Sequence, residues 1–236
     1  MAEPFWIAFG DIHEDLHCLD AIPDLEQAEG VLVSGDMTNV GGRDTAVRIL
    51  ERIRARNAQV WALIGNMDTP EVEQVLRERG VYAHGRTVNL GRGVGLYGVG
   101  YSTPTPFNTP SEVGEEQIRE WLEQSRPNLS RFDQTILLVH TPPFETATDR
   151  VGNGVPVGSR AVREFIDSFQ PTLCITGHIH ESRAVEVLGK TTVINPGSFG
   201  AGGYVRVALE NGTLRAELLQ AEPVQCAHQS QGKQSG

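Results

Sequence analysis

Five times along the chain a short apolar run stops abruptly at a small polar cluster: Gly10-Asp11-Ile12-His13, Gly35-Asp36, Gly65-Asn66-Met67-Asp68, Val139-His140-Thr141 and Gly177-His178-Ile179-His180. Short apolar runs bounded by turn residues read as buried strands of a parallel sheet. Open α/β sheets place their ligand sites at the carboxyl ends of such strands. The pattern therefore constrains the chain to a sheet-based fold that delivers imidazole, carboxylate and amide groups to one edge. Four of the five clusters open with glycine, which lets the backbone leave a strand sharply. In an extended backbone, residues two apart face the same way. Asp11 with His13, and His178 with His180, are each expected to present two groups to one cavity on that basis.

The rest of the chain supplies a matching frame. Strands are predicted at 5–10, 30–34 and 60–64, with helical patterns between them. Val47, Leu50 and Ile53 mark one helix by their spacing, and Pro70 opens another as a first-turn residue. This alternation predicts parallel strands with right-handed crossovers. Further strands are expected at 88–90, 94–99, 135–139 and 172–176, and helices at 115–123 and 160–169. Two irregular loops, 101–113 and 141–158, are rich in Pro, Thr, Ser and Gly, a composition suited to covering a site. The last third predicts successive antiparallel strands at 183–187, 191–194, 204–209 and 213–219, with Glu210-Asn211-Gly212 as a tight turn. Neither a repeat nor a linker interrupts the pattern, so 1–222 is expected to form one domain. The Gln-, Ser- and Gly-rich stretch 223–236 is expected to be a disordered tail.

A formal net charge of -10 over 236 residues lacks the basic footprint of a stable nucleic-acid binder. Cys18, Cys174 and Cys226 stand apart with no CxxC, which argues against a disulfide framework and for a reducing compartment. The apolar stretch 5–10 is too short for a signal-peptide core or a membrane span. The expected location is the cytoplasm, with no membrane partner.

The order Asp-x-His, Gly-Asp, Gly-Asn-x-Asp, His, Gly-His-x-His resembles the calcineurin-like metallophosphoesterase superfamily. Asn195-Pro196-Gly197-Ser198 is similar to a segment of its small prokaryotic members. The resemblance spans 10–180. It implies an α/β fold, a four-layer αββα sandwich of two packed mixed β-sheets flanked by helices. It also implies a dinuclear metal centre. Asp11, His13 and His180 would hold one ion, and Asn66, His140 and His178 the other, with Asp36 bridging both. A donor set without thiolate suits Mn²⁺, with Fe, Zn²⁺ or Ni²⁺ as alternatives. A hydroxide held between two such ions would attack phosphorus in line with the departing alcohol. Asp36, Asn66, His140 and Asp68 are the catalytic candidates, Asp68 by orienting a ligand histidine or its loop.

One departure stands out. Many family members carry histidine after the asparagine, thought to protonate the leaving group or bind phosphate, where this chain has Met67. A thioether has no proton to deliver. The expected activity is hydrolysis of a small phosphate ester or nucleotide-like substrate, with phosphodiesters favoured. Phosphomonoesterase or nucleotidase action on the same site is the alternative, and a non-catalytic protein-binding scaffold a further one. His17 and His84 are expected to be surface or structural residues. Phe107 and Asn108 are candidates to line a substrate pocket, and Arg150, Arg160 and Arg183 are possible phosphate contacts.

Overall fold

Alternation along the strands decides which face of each sheet meets which layer. In β1 (Phe5–Phe9), Phe5, Ile7 and Phe9 enter one apolar cluster while Trp6 and Ala8 enter another. In β6 (Gln134–Val139), Ile136 and Leu138 join Trp6 and Ala8, whereas Leu137 and Val139 join a third cluster. Every such residue is buried on one side or the other, as expected for strands covered on both faces. The computed structural model describes residues 3–222; the expected tail 223–236, with Cys226, lies outside the described residues.

Two sheets result. In the first, β1, β2 (Gly30–Val33) and β3 (Val60–Ala62) run parallel. On the other side of β1 lie β12 (Gly203–Glu210), antiparallel to it, and then β13 (Thr213–Gln220). The second sheet is centred on β6, which runs parallel to β5 (Val94–Val99) on one side and to β9 (Leu173–Ile175) on the other. Its edges are β4 (Thr87–Gly91) beyond β5, and β11 (Thr191–Asn195) then β10 (Ala184–Leu188) beyond β9. Helices α1 (Arg43–Arg54) and α2 (Pro70–Glu78) pack on the outer face of the first sheet through Ile49, Leu50, Ile53, Val72 and Val75. Helices α3 (Glu115–Leu129) and α4 (Arg160–Phe169) cover the second through Ile118, Leu122, Phe165 and Ile166. Between the sheets lie Trp6, Leu32, Leu96, Leu138, Ile175, Ile194 and Val205. Each fully buried aliphatic side chain there contributes about 1.5–3 kcal/mol of transfer free energy. This is the four-layer α/β sandwich that the resemblance implies. No helix among the described residues is long and apolar enough to cross a membrane.

Four local expectations are corrected. Between β1 and β2 there is no α-helix but two 3₁₀ turns, Leu19–Ala21 and Leu25–Gln27. Pro23 and a left-handed Asp24 interrupt any helix, while Leu19, Ile22 and Leu25 still cover the sheet. Helix α3 runs past 123 and through Pro127, because Ser125 and Leu129 stay buried and proline removes only one backbone bond. The loop 141–158 contains a small hairpin, β7 (Arg150–Val151) with β8 (Val155–Pro156). The last strands are not one meander: β11 lies parallel to β9, and the chain then crosses through Pro196, which has no N–H for a ladder, to reach the other sheet at β12.

Candidate metal centre

Strands β1, β2, β3, β6 and β9 end at one edge shared by both sheets, and the side chains that follow them meet there. His13 Nε2 lies 3.0 Å from His180 Nε2, which is 3.4 Å from Asp11 Oδ1. Asn66 Oδ1 lies 3.0 Å from His140 Nε2 and 2.8 Å from His178 Nδ1. Asp36 stands between the two groups, its Oδ2 3.7 Å from His13 Nε2 and 3.5 Å from His140 Nε2. Potential ligand atoms of Asp11, His13 and His180 lie within 4.8 Å of one another, as do those of Asp11, Asp36 and His140.

The way these residues are presented differs from the expectation of extended backbone. Asp11, His13, Asp36 and His178 have φ of 49°, 47°, 49° and 69°, all left-handed. Sharp turns, not strand alternation, aim the side chains. Such a backbone costs on the order of 1–3 kcal/mol per residue, and is held where surrounding bonds fix it. Here Ile12 and His13 donate N–H to Asp36 O, and His178 N donates to both Asp11 oxygens at 3.0 Å. Gly65 is required by space: a Cβ there would strike Asp36 Oδ1 and lie 2.5 Å from His140 Cε1.

Two imidazoles have their tautomers set from behind. His140 Nδ1 faces Ser34 O at 3.0 Å, and a carbonyl only accepts, so Nδ1 carries the hydrogen. His13 Nδ1 faces Asn39 Oδ1 at 2.7 Å, with Asn39 Nδ2 donating to His13 O to fix the amide. Both Nε2 atoms point into the cluster. Burial opposes ionisation of Asp36, but the charges of His140 and His13 outweigh it and hold its pKa below the ordinary value. Burial likewise opposes protonation of His140, yet Asp36 pushes it up to about 9. The buried Asp36 carboxylate thus draws positive charge toward itself. Oxygen and imidazole donors converging without a thiolate fit divalent ions of the Mn²⁺–Zn²⁺ group.

The cluster opens into a cleft of about 600 Å³. Met67 and Phe107 line it, as do Thr103–Phe107 generally and Val151 and Val157 from the hairpin loop. Asn108 is not on its wall, nor are Arg150, Arg160 and Arg183. Arg150 donates to Thr146 O and Gly154 O, Arg160 lies 3.8 Å over the Phe144 ring, and Arg183 donates to Leu219 O. Asp68 does not line the cleft; it acts on the loops, the second of the two roles expected of it. Its buried carboxylate accepts N–H bonds from Met37, Thr38 and Gly65 and the Thr38 hydroxyl, clasping the loops that carry Asp36 and Asn66. Burial and then the Asp36 charge push its pKa up to about 7. His17 pairs with Asp15 at the surface. His84 is buried against Tyr82, Tyr101 and Trp121, accepts from Gly100 N, and is held down to about 4 by burial, so it is a neutral structural ring.

Sequence reasoning missed several supporting residues. Thr109 Oγ1 accepts from Asn66 Nδ2 at 3.0 Å, and Glu112 accepts from the Thr109 and Thr105 hydroxyls. Asn195 donates to Ile179 O at 2.8 Å and so fixes the turn between His178 and His180. Only Asn195 carried a signal, as the first residue of Asn-Pro-Gly-Ser.

The sequence profile described as calcineurin-like phosphoesterase matches residues 7–182. An uncharacterized protein of Methanocaldococcus jannaschii is 34% identical over 175 residues, covering 72% of this chain and 77% of that protein. A solved structure from Thermus thermophilus aligns with a TM-score of 0.72 at 17% identity, covering 94% of this chain and 100% of the other. A dimetal phosphatase from Danio rerio aligns with a TM-score of 0.62 at 12% identity, over 94% and 100% of the two chains. At such identities the two structures speak for the fold alone.

Proposed function

The chain belongs to the calcineurin-like phosphoesterase family, and from that premise we propose that it hydrolyses phosphate esters at the cluster around Asp36, with singly charged diesters preferred to monoesters. Membership carries a dinuclear divalent metal site and metal-dependent phosphoester hydrolysis. We assign Asp11, His13 and His180 to one ion, Asn66, His140 and His178 to the other, and Asp36 to both, with Mn²⁺ as the ion. Two bound cations supply Lewis-acid polarisation of the phosphoryl oxygens and a nucleophile drawn from water at neutral pH.

The chain's own residues do the rest. Asp36 faces a histidine of each half at 3.5–3.7 Å, so one carboxylate sets the spacing of the two halves. Ser34 O and Asn39 hold the rings of His140 and His13 with their Nε2 atoms turned inward. Asp68 and Asn195 brace the loops from behind.

One observation carries the preference for diesters: Met67 lines the cleft, and among the described residues no Lys or Arg does. Apart from the histidines assigned to the ions, no imidazole on the wall stands ready to protonate a poor leaving group, and no cationic side chain meets the second negative charge of a monoester. The preferred substrate is therefore a monoanion with a stable leaving group. Hydrolysis of bis(p-nitrophenyl) phosphate and p-nitrophenyl phosphate by Mn²⁺-loaded protein tests this. We expect kcat/KM to be higher for the diester. Higher kcat/KM for the monoester would give the nucleotidase-like alternative, and no hydrolysis of either would leave the scaffold reading.

A further inference from the structure

The cleft beside the Asp36 cluster has two chemically different ends. At its floor are His13, Asp36, Asn66 and His178, and toward its mouth the wall turns apolar with Pro104, Pro106, Phe107, Val151 and Val157. Phe107 is 80% exposed, the largest such value among the exposed large hydrophobic residues described, and Val157 is 37% exposed. Phe107 does not stand alone: with Pro104, Pro106, Val151 and Val157 it forms an apolar wall to the cleft, and a contiguous exposed apolar surface of this kind marks a ligand-binding groove. Apart from the residues assigned to the ions, His180 among them, the ionisable group on the lining is the Glu181 carboxylate, which repels a second anionic group.

The ring is held in place by its own loop. Thr105 Oγ1 donates to Glu112 at 2.6 Å, and Phe107 N donates to Thr105 Oγ1 at 3.2 Å. Thr109 donates its N–H and hydroxyl to the same Glu112 oxygen at 2.9 and 2.6 Å, and accepts from Asn66 Nδ2. A single carboxylate therefore gathers both sides of the turn that presents Phe107, and ties that turn to a residue of the cluster. A preorganised wall binds without the ordering cost of a loose loop.

We infer that the organic part of the substrate is a flat apolar group, aromatic in its simplest form, that lies against Phe107 and carries no negative charge of its own. This deepens the proposed phosphoesterase reading and rests on it for the position of the phosphate. The phosphoryl group sits at the floor and one substituent extends along the wall, its ring stacking on Phe107 with Val157 and Val151 opposite. Esters bearing a second phosphate or a carboxylate on that substituent meet Glu181 and no cation.

Calorimetric binding to Mn²⁺-loaded protein decides this without turnover, using diphenyl phosphate, dimethyl phosphate and a phenyl carboxyphenyl phosphate. Diphenyl phosphate should bind at least about tenfold more tightly than the dimethyl ester, since a ring rather than a methyl leaves water. It should also bind more tightly than the carboxylated ester. Phe107→Ala should remove most of the first ratio and leave dimethyl phosphate within about twofold; Phe107→Trp should retain it. Because Phe107 is exposed, neither change disturbs the core. Equal affinity for the diphenyl and dimethyl esters, an unchanged ratio in Phe107→Ala, or a preference for the carboxylated ester would each overturn the inference. Hydrolysis of the p-nitrophenyl esters is followed separately. Its complete failure overturns the phosphoesterase reading, while the binding ratios still decide what the wall recognises.

Discussion

Thr109→Val removes one oxygen and keeps the shape of a β-branched side chain, so it isolates the bond from Asn66. In the folded protein Asn66 is 4% exposed, and its Nδ2 reaches Thr109 Oγ1 at 3.0 Å while its Oδ1 faces His140 and His178. Without the hydroxyl, the amide has two outcomes. It can keep its orientation with a buried N–H unpaired, which costs about 1–3 kcal/mol. It can instead rotate by half a turn, which puts N–H groups against the two histidines and removes the ligand oxygen. Losing a supporting hydrogen bond of this kind costs about 10- to 100-fold in metal affinity, or about 1.4–2.7 kcal/mol, which falls in the same range. Titration of Mn²⁺ into metal-free protein should therefore show one of two binding events weakened by about 10- to 100-fold. The event assigned to Asp11, His13 and His180 should change far less. Thr109→Ser, which retains the hydroxyl, should restore the affinity. If Thr109→Val binds both ions as the parent does, with unchanged unfolding free energy, Asn66 is not held by Thr109.

Other outcomes follow from the same geometry. Asp36→Asn keeps the shape but loses the charge shared between the two halves; metal content measured after gel filtration should fall at one or both sites, with most activity lost, whereas two tightly held ions would refute the bridging role. Met67→His places a proton donor on the cleft wall, so alkyl esters with poor leaving groups should gain rate by about 10²-fold or more while p-nitrophenyl esters change little; equal effects on both would show that proton delivery is not what Met67 lacks. His84 is held neutral at a pKa of about 4 in the folded protein, below its ordinary value of 6.5. The unfolded chain therefore takes up a proton first, and the His84 contribution to stability, complete above pH 6.5, is lost as pH falls from there through 4. Comparing parent and His84→Phe unfolding across that window checks the sign, and proton NMR should show a ring that does not titrate between pH 5 and 8.

The features legible in the sequence are those written locally. Helix α4 and strand β5 begin and end where their patterns predict, because Val162 with Phe165 and Ile166, and Val94 with Leu96, mark buried faces at the spacing of their own element. The cluster residues were legible as a set because each follows a strand end. Supporting partners were not. Asn39 braces His13 across 26 residues, and Thr109 braces Asn66 across 43; no local pattern marks such pairs. The left-handed turns at Asp11, His13 and His178 were also hidden, since Asp and His adopt that region more often than most residues yet still uncommonly, and the bonds that hold them there come from distant segments. Asp68 looked like a neighbour of the chemistry because it is two residues from Asn66. Its backbone turns it the other way, onto Met37 and Thr38.

Strand β1 and the loop after it lean on residues translated long after the last cluster residue, His180. Strand β12 covers the outer edge of β1, pairing Phe5 with Ala208 and Ala8 with Val205. Phe199 stacks on Phe9 at 4.3 Å and donates its N–H to Gly10 O and Asp11 O. A chain that reaches only residue 180 carries every side chain of the cluster and the bonds from Asp11 to Gly35 O and His178 N, yet it lacks Phe199 over Phe9 and leaves the β12 side of β1 bare. Such an edge is a template for pairing with other chains. The first sheet therefore closes only when β12 docks on β1, and the protection of that edge is supplied by the chain's own last strands.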